Sequence, residues 1–275
     1  MTQKRNAELV NNLRPDFFAR AEPNASMVHY QGAIMSTCGL QGFWPMSTII
    51  NTGSHYAMDN ACYYPLTAHA YPTFGYLSTP TITALPPWVN FAAANSQYLE
   101  YAADDPQHDI IGNEAYIATD ERGLTMGGWF KFSTIPASIF GLMGKWYISG
   151  GGVNEAAYSL IKTAANLITF QVTTDGSTVV SVTSTGAVAA NIWYHIYGRF
   201  DPSKELAVFV DNVKFTNAVG PPATIFNSDE PFSIGWYNRA NYDDGKASMC
   251  HLNASMLSDS IVEVLWETSR VMYGK

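Results

Sequence analysis

His195, at the centre of NIWYHIYGRFD (residues 191–201), is the side chain whose type best suits proton transfer near neutral pH. Such work needs a carboxylate to orient the imidazole or a nucleophile for it to activate. Neither accompanies it in sequence, so His195 reads as a structural histidine. GxSxG and HExxH are absent, and GGG at 150–152 has the flexibility of a phosphate-cradling loop without its pattern. Cys38, Cys62 and Cys250 form no CxxC and have no zinc-ligand spacing. Three cysteines cannot all pair within one chain, and they are expected to be reduced and buried. Aromatic residues offer a different chemistry. Trp146 and Tyr147 stand beside the glycine-rich loop, and Trp236, Tyr237 and Tyr242 surround NRAN, both groups at predicted strand ends. Rings in such places give large contact area at small entropic cost, to a ligand or to a neighbouring subunit.

The elements that position these residues are mostly strands. LTMGGWFKF alternates, with Leu124, Met126, Gly128, Phe130 and Phe132 on one face and Thr125, Gly127, Trp129 and Lys131 on the other. Asp175-Gly176 predicts a hairpin within NLITFQVTTDGSTVVSVTS. A second hairpin runs from Trp193–Phe200 through Asp201-Pro202 to Leu206–Asp211. Trp193, His195, Tyr197 and Arg199 then share one face, and Trp129 and Trp193 are structural. PFSIGW and KASMCHLNASM add two strands. In LSDSIVEVLWETSR, Ser260 and Glu263 fit a capping box, and Ile261, Val264 and Leu265 mark one face of a closing helix. Before residue 36 the spacing is helical: Val10 and Leu13, then Phe17 and Phe18 after Pro15, form an arm packed on its own domain or docked on a neighbour. The division is an arm at 1–35 and an antiparallel β-sandwich or jelly roll at 36–275.

The 275 residues are 47% hydrophobic, 13% aromatic and only 14% charged, which suits a folded β-rich body. The net charge of -8 argues against nucleic acid as a partner. No apolar run is long enough to span a bilayer, and no export signal is legible at the N-terminus, so synthesis in a cytoplasm without export by the usual route is expected.

GLQGFWPMS (39–47), WVNFAAANSQYLEY (88–101), GLTMGGWFKF (123–132), NIWYHIYGRFD (191–201), LAVFVDN (206–212), FSIGW (232–236) and GKASMCHLNASMLSD (245–259) fall in an order that resembles LamG-like domains of the concanavalin A-like lectin/glucanase superfamily. The resemblance covers residues 39 to 270. It implies two curved antiparallel sheets with a helix after the last strand.

Retaining glucanases of that superfamily carry E-x-D-x-x-E on one strand, which sets two carboxylates about 5 Å apart. No such strand exists here. The nearest pair, Glu263 and Glu267, stands one turn apart in the predicted helix, so no catalytic residue is assigned and the chain is read as non-enzymatic. The resemblance also implies Ca²⁺ at the sandwich rim, for which Asp243 and Asp244 in NYDDGK and Asp104, Asp105 and Asp109 in ADDPQHD are the candidates. Ser248 stands where relatives carry Asp, and the same carboxylates suit solvated turns. No other cofactor is expected. A fold that usually works outside cells, joined to the missing export signal, points to a bacteriophage virion protein. The first choice is a capsid decoration or cement subunit docked through Val10, Leu13, Phe17 and Phe18 to other virion proteins and to copies of itself. The alternatives are a tail-associated adhesin binding surface glycans and a cellular glycan-binding or glucanase-like protein.

Overall fold

The computed structural model describes residues 33–34, 37, 40–44, 48–51, 54–57, 66–70, 72–76, 86–101, 119–149, 154–217 and 220–275. Val10, Leu13, Phe17, Phe18, Asp104, Asp105, Asp109, Cys38 and Cys62 lie outside them.

Two antiparallel sheets face each other. In the first, the strands run in spatial order Val213–Thr216, Glu205–Val210, Trp193–Asp201, Leu124–Phe132, Gly245–Asn253, Pro87–Phe91 and Thr73–Tyr76, with Leu40–Trp44 also pairing Gly245–Asn253. In the second, the order is Val179–Thr183, Ile168–Thr173, Tyr158–Lys162, Phe140–Lys145, Phe232–Ile234, Tyr98–Tyr101, Leu66–His69, Ser54–Ala57 and Thr48–Asn51. The expected β-sandwich is present. Both hairpins lie where the sequence puts them. Asp175 accepts from the backbone of Ser177 and Thr178 across a turn with Gly176 at φ +79°, and these bonds, Thr178 foremost, pull its carboxyl down to about 2.

Leu124–Phe132 explains why the molecule has three layers. Leu124, Met126, Phe130 and Phe132 meet Leu142, Tyr158, Phe170 and Ile234 between the sheets. The opposite face is buried too. Trp129, Trp193, Tyr197 and Phe209 lie beneath Val262, Leu265 and Tyr273 of the C-terminal helix (Asp259–Ser269) and the turn after it, together with Ile34. Packing on the sandwich therefore begins before residue 36. Fully burying each such side chain contributes about 1.5–3 kcal/mol. The Trp129 indole donates to Ser269 Oγ at 3.0 Å, and its ring stacks on Tyr273 at 4.0 Å.

The helix begins earlier than the capping pattern suggests. Ser258, in extended conformation, is the N-cap and accepts from Ile261 N, which leaves Ser260 inside the first turn. The buried face is Val262, Leu265 and Ser269, while Val264 is exposed. The Arg199 guanidinium fixes this end by donating to Leu257 O at 2.9 Å and to Glu205 and Asp259. Glu263 and Glu267 are exposed on this helix, on the far side of the first sheet from the second.

His195 and Cys250 are fully buried, and Cys250 is a free thiol. His195 packs against Trp129, Tyr197 and Trp266 at 5.1, 4.5 and 5.7 Å between ring centroids, which fits its reading as scaffold.

Candidate functional site

On the outer face of the second sheet, the face turned away from the first, aromatic and polar residues replace the apolar inner set. Leu99, Ile234, Phe170 and Val172 point inward, so Tyr98, Glu100 and Gln171 point outward. A small hairpin is laid across this face. Gly235, at φ +86°, ends the Phe232–Ile234 strand and turns the chain out of the sheet, a conformation that suits glycine. Trp236–Tyr237 then pairs with Asn241–Tyr242, and the Asp243 amide returns to Gly235 O at 2.9 Å. The hairpin backbone touches the sheet at Gly141, where an added Cβ would stand 2.2 Å from Trp236 O.

Its tip is tightly held. Asn238 and Arg239 both have φ of 54°, unusual for arginine. Asn238 Oδ1 accepts from Ile148 N at 2.6 Å. Arg239 makes a bidentate pair with Glu230, at 3.0 and 2.6 Å, and lies over the Tyr147 ring at 4.1 Å. Glu230 is 2% exposed against 52% for Arg239, and its hydrogen bonds raise the arginine pKa further.

The five ring residues singled out in the sequence thus come together, with different roles. Trp146 is only 4% exposed and stacks on Tyr237 at 6.1 Å as packing beneath it. Tyr237 receives a hydrogen bond from Gln171 Nε2 at 3.1 Å, and burial raises its phenol pKa. Tyr147 lies under Arg239. Trp236 and Tyr242 are half-buried and flank Tyr98, at 4.6 and 5.9 Å between centroids. Tyr98 in turn stacks on His69 at 4.3 Å and 3°, and His69 Nε2 lies 2.8 Å from Glu100 Oε1. Burial, followed by the nearby Glu100 carboxylate, pushes the Tyr98 hydroxyl up to about 12, so it remains a neutral donor and acceptor at ordinary pH.

Tyr98, His69, Glu100, Gln171 and Arg239 were not singled out in the sequence. The alternation in SQYLEY puts Tyr98 and Glu100 on one face and Leu99 on the other, which is a signal for an outward polar face. Their meeting with residues 236–242 depends on the pairing of Phe232–Ile234 with Tyr98–Tyr101, which no local pattern encodes.

The two carboxylates of the acidic pair lie in different settings. Asp243 is buried, and burial raises its carboxyl pKa to about 8, while Asp244 Oδ2 accepts from the Thr134 hydroxyl at 2.8 Å. Among the described residues, no group of three His, Cys, Asp or Glu is arranged to hold a metal ion. Ser248 is buried, bonded to Pro87 O at 2.7 Å and lying 2.6 Å from Tyr273 Oη. It ties the start of Pro87–Phe91, the strand next to the sheet edge, to the C-terminal turn.

A laminin-G family of the concanavalin A-like lectin/glucanases superfamily matches residues 107–257, more than half of the chain. The chain belongs to that superfamily. Among solved structures, Trypanosoma rangeli sialidase in complex with sialic acid is 13% identical with a TM-score of 0.58, the alignment covering 96% of this chain and 40% of that one. The binding domain of botulinum neurotoxin DC in complex with SialylT is 9% identical with a TM-score of 0.53, over 84% of this chain and 51% of that one. The binding domain of Paraclostridial Mosquitocidal Protein 1 is 9% identical with a TM-score of 0.51, over 83% and 52%. At these identities the likeness is one of fold, and the chain spans about half or less of each of these structures. No curated protein sequence matches the chain.

Proposed function

We propose that this chain is a non-catalytic carbohydrate-binding domain whose sugar face is the outer face of the second sheet around Tyr98, Trp236 and Tyr242. The observation that carries the reading is the set of half-buried rings bordered by the polar side chains of Glu100 and His69, on a rigid sheet. A pyranose has an apolar C–H face and a rim of hydroxyls. Rings take the first and fixed polar groups take the second, and both are held in place before the sugar arrives. The left-handed backbone at Asn238 and Arg239 supports the reading, since such strain persists where the surroundings over-determine it and tends to gather at binding sites.

Catalysis is disfavoured because the Glu230 carboxylate beside the rings is held in a bidentate pair by Arg239, which leaves Glu100 as the carboxylate next to them. Sialylated glycans are the first class to test, because two of the similar structures contain sialic acid or a sialylated ligand. Affinity electrophoresis against sialylated and neutral glycans, run beside a reducing-sugar assay, tests the function. Retarded migration without sugar release is expected. Release of reducing sugar, or no retardation by any glycan, contradicts the reading.

A further inference from the structure

The outer face of the first sheet carries a row of residues beyond its aromatic cover. Register sets Trp193, Lys131, Lys246 and Asn90 side by side on four successive strands, on the same face as Trp129 and Ser248. Like charges directly opposite one another on neighbouring strands are destabilising. In a chain of net charge -8, acidic partners are plentiful, and Lys204, Lys214 and Lys275 each meet one. Among the described residues, Lys131 and Lys246 have no ion pair and the Asn90 amide has no hydrogen bond. Asp244, the carboxylate nearest in sequence, is held by Thr134. Lys246 Nζ sits 3.7 Å from the centre of the Trp88 ring, and burial, then Lys131, lower its pKa.

We propose that Lys131, Lys246 and Asn90 form a site for one oxyanion, a sulfate, phosphate or carboxylate group, seated between the two ammonium groups. Neighbouring strands are roughly 4.8 Å apart, so the two long side chains leave the sheet close enough for both ammonium groups to reach one tetrahedral or carboxylate group with charge-assisted hydrogen bonds, Lys246 from its place over the Trp88 ring. The bound anion would cancel the repulsion between the lysines, and the Asn90 amide would add a neutral donor from the next strand. The site is on the opposite sheet from the ring face and independent of the sugar reading.

Calorimetric titration of the full chain tests the site with sodium sulfate against sodium chloride at equal ionic strength, with oligogalacturonate, and with a neutral gluco-oligosaccharide. Saturable sulfate binding is expected, weakened about tenfold by Lys131→Gln or Lys246→Gln. Lys246→Glu, which puts an opposite-charge pair across the strands and so keeps the fold, is expected to abolish it. Oligogalacturonate binding tighter than sulfate, with the same losses, assigns the oxyanion to an acidic saccharide, whereas sulfate binding alone assigns a free anion. Wild-type protein that binds neither, or a Lys246→Glu variant that binds as the wild type does, overturns the site.

Discussion

His195 and His251 lie beneath the C-terminal helix, and burial holds both imidazoles below the ordinary histidine value, His251 at about 3. Asp243 is shifted the other way, to about 8, because burial penalises its anion. The signs oppose one another. The neutral histidines stabilise the fold above their unfolded pKa of about 6.5, and that contribution is lost as pH falls below it. The neutral Asp243 contributes fully below its unfolded pKa of about 3.9, and its contribution is lost as pH rises toward 8. Below pH 6.5 the two histidines outweigh the single aspartate, and above it only the aspartate titrates. Denaturant unfolding is therefore expected to give maximal stability at about pH 6–7, with Asp243→Asn removing the decline between about pH 6.5 and 8. An undiminished alkaline decline in that variant would show that Asp243 is not its source.

Gly235, which turns the chain out of the sheet, and Gly141, on which the hairpin rests, govern how the ring hairpin sits. Gly141→Ala would drive a methyl group into the Trp236 carbonyl, so a loss of about 1–3 kcal/mol and a changed near-UV circular dichroism signal are expected. Unchanged spectra and stability would mean that the hairpin does not rest there. The C-terminal helix has its own test. Removing residues 259–275 uncovers Trp129, Trp193 and Tyr197, and the truncated chain is expected to lose cooperative thermal unfolding; a sharp transition near the full-length Tm would contradict the three-layer core.

The legibility of these elements follows their range in sequence. The Asp175-Gly176 and Asp201-Pro202 hairpins could be read because each turn carries its own chemistry. The helix was legible as an element but displaced in phase. Its buried face is chosen by contact with Trp129, so Val262 and Ser269 join Leu265 there, Ile261 packs at the margin and Val264 faces solvent. Trp236, Tyr237 and Tyr242 lie within one hairpin and could be grouped from sequence. Tyr98 and His69 reach them only through sheet pairing.

At the scale of the whole molecule, the two sheets divide the work. The first sheet spends both faces on packing over much of its area, against the second sheet and against the helix, while the second buries its inner face and carries the half-buried rings Tyr98, Trp236 and Tyr242 on its outer one, beside the buried Ser159, Thr169 and Gln171. The proposed sugar face is thus the part of the second sheet's outer side where Tyr98, Trp236 and Tyr242 remain partly exposed. The most direct measurement is calorimetric titration of the best-bound glycan into wild-type, Trp236→Ala and Tyr242→Ala proteins whose circular dichroism and Tm are also recorded. Each variant is expected to stay folded and to bind at least about tenfold more weakly, the equivalent of roughly 1.4 kcal/mol for one lost ring contact. Folded Trp236→Ala and Tyr242→Ala proteins that bind the glycan as tightly as wild type would contradict the assignment of the sugar face.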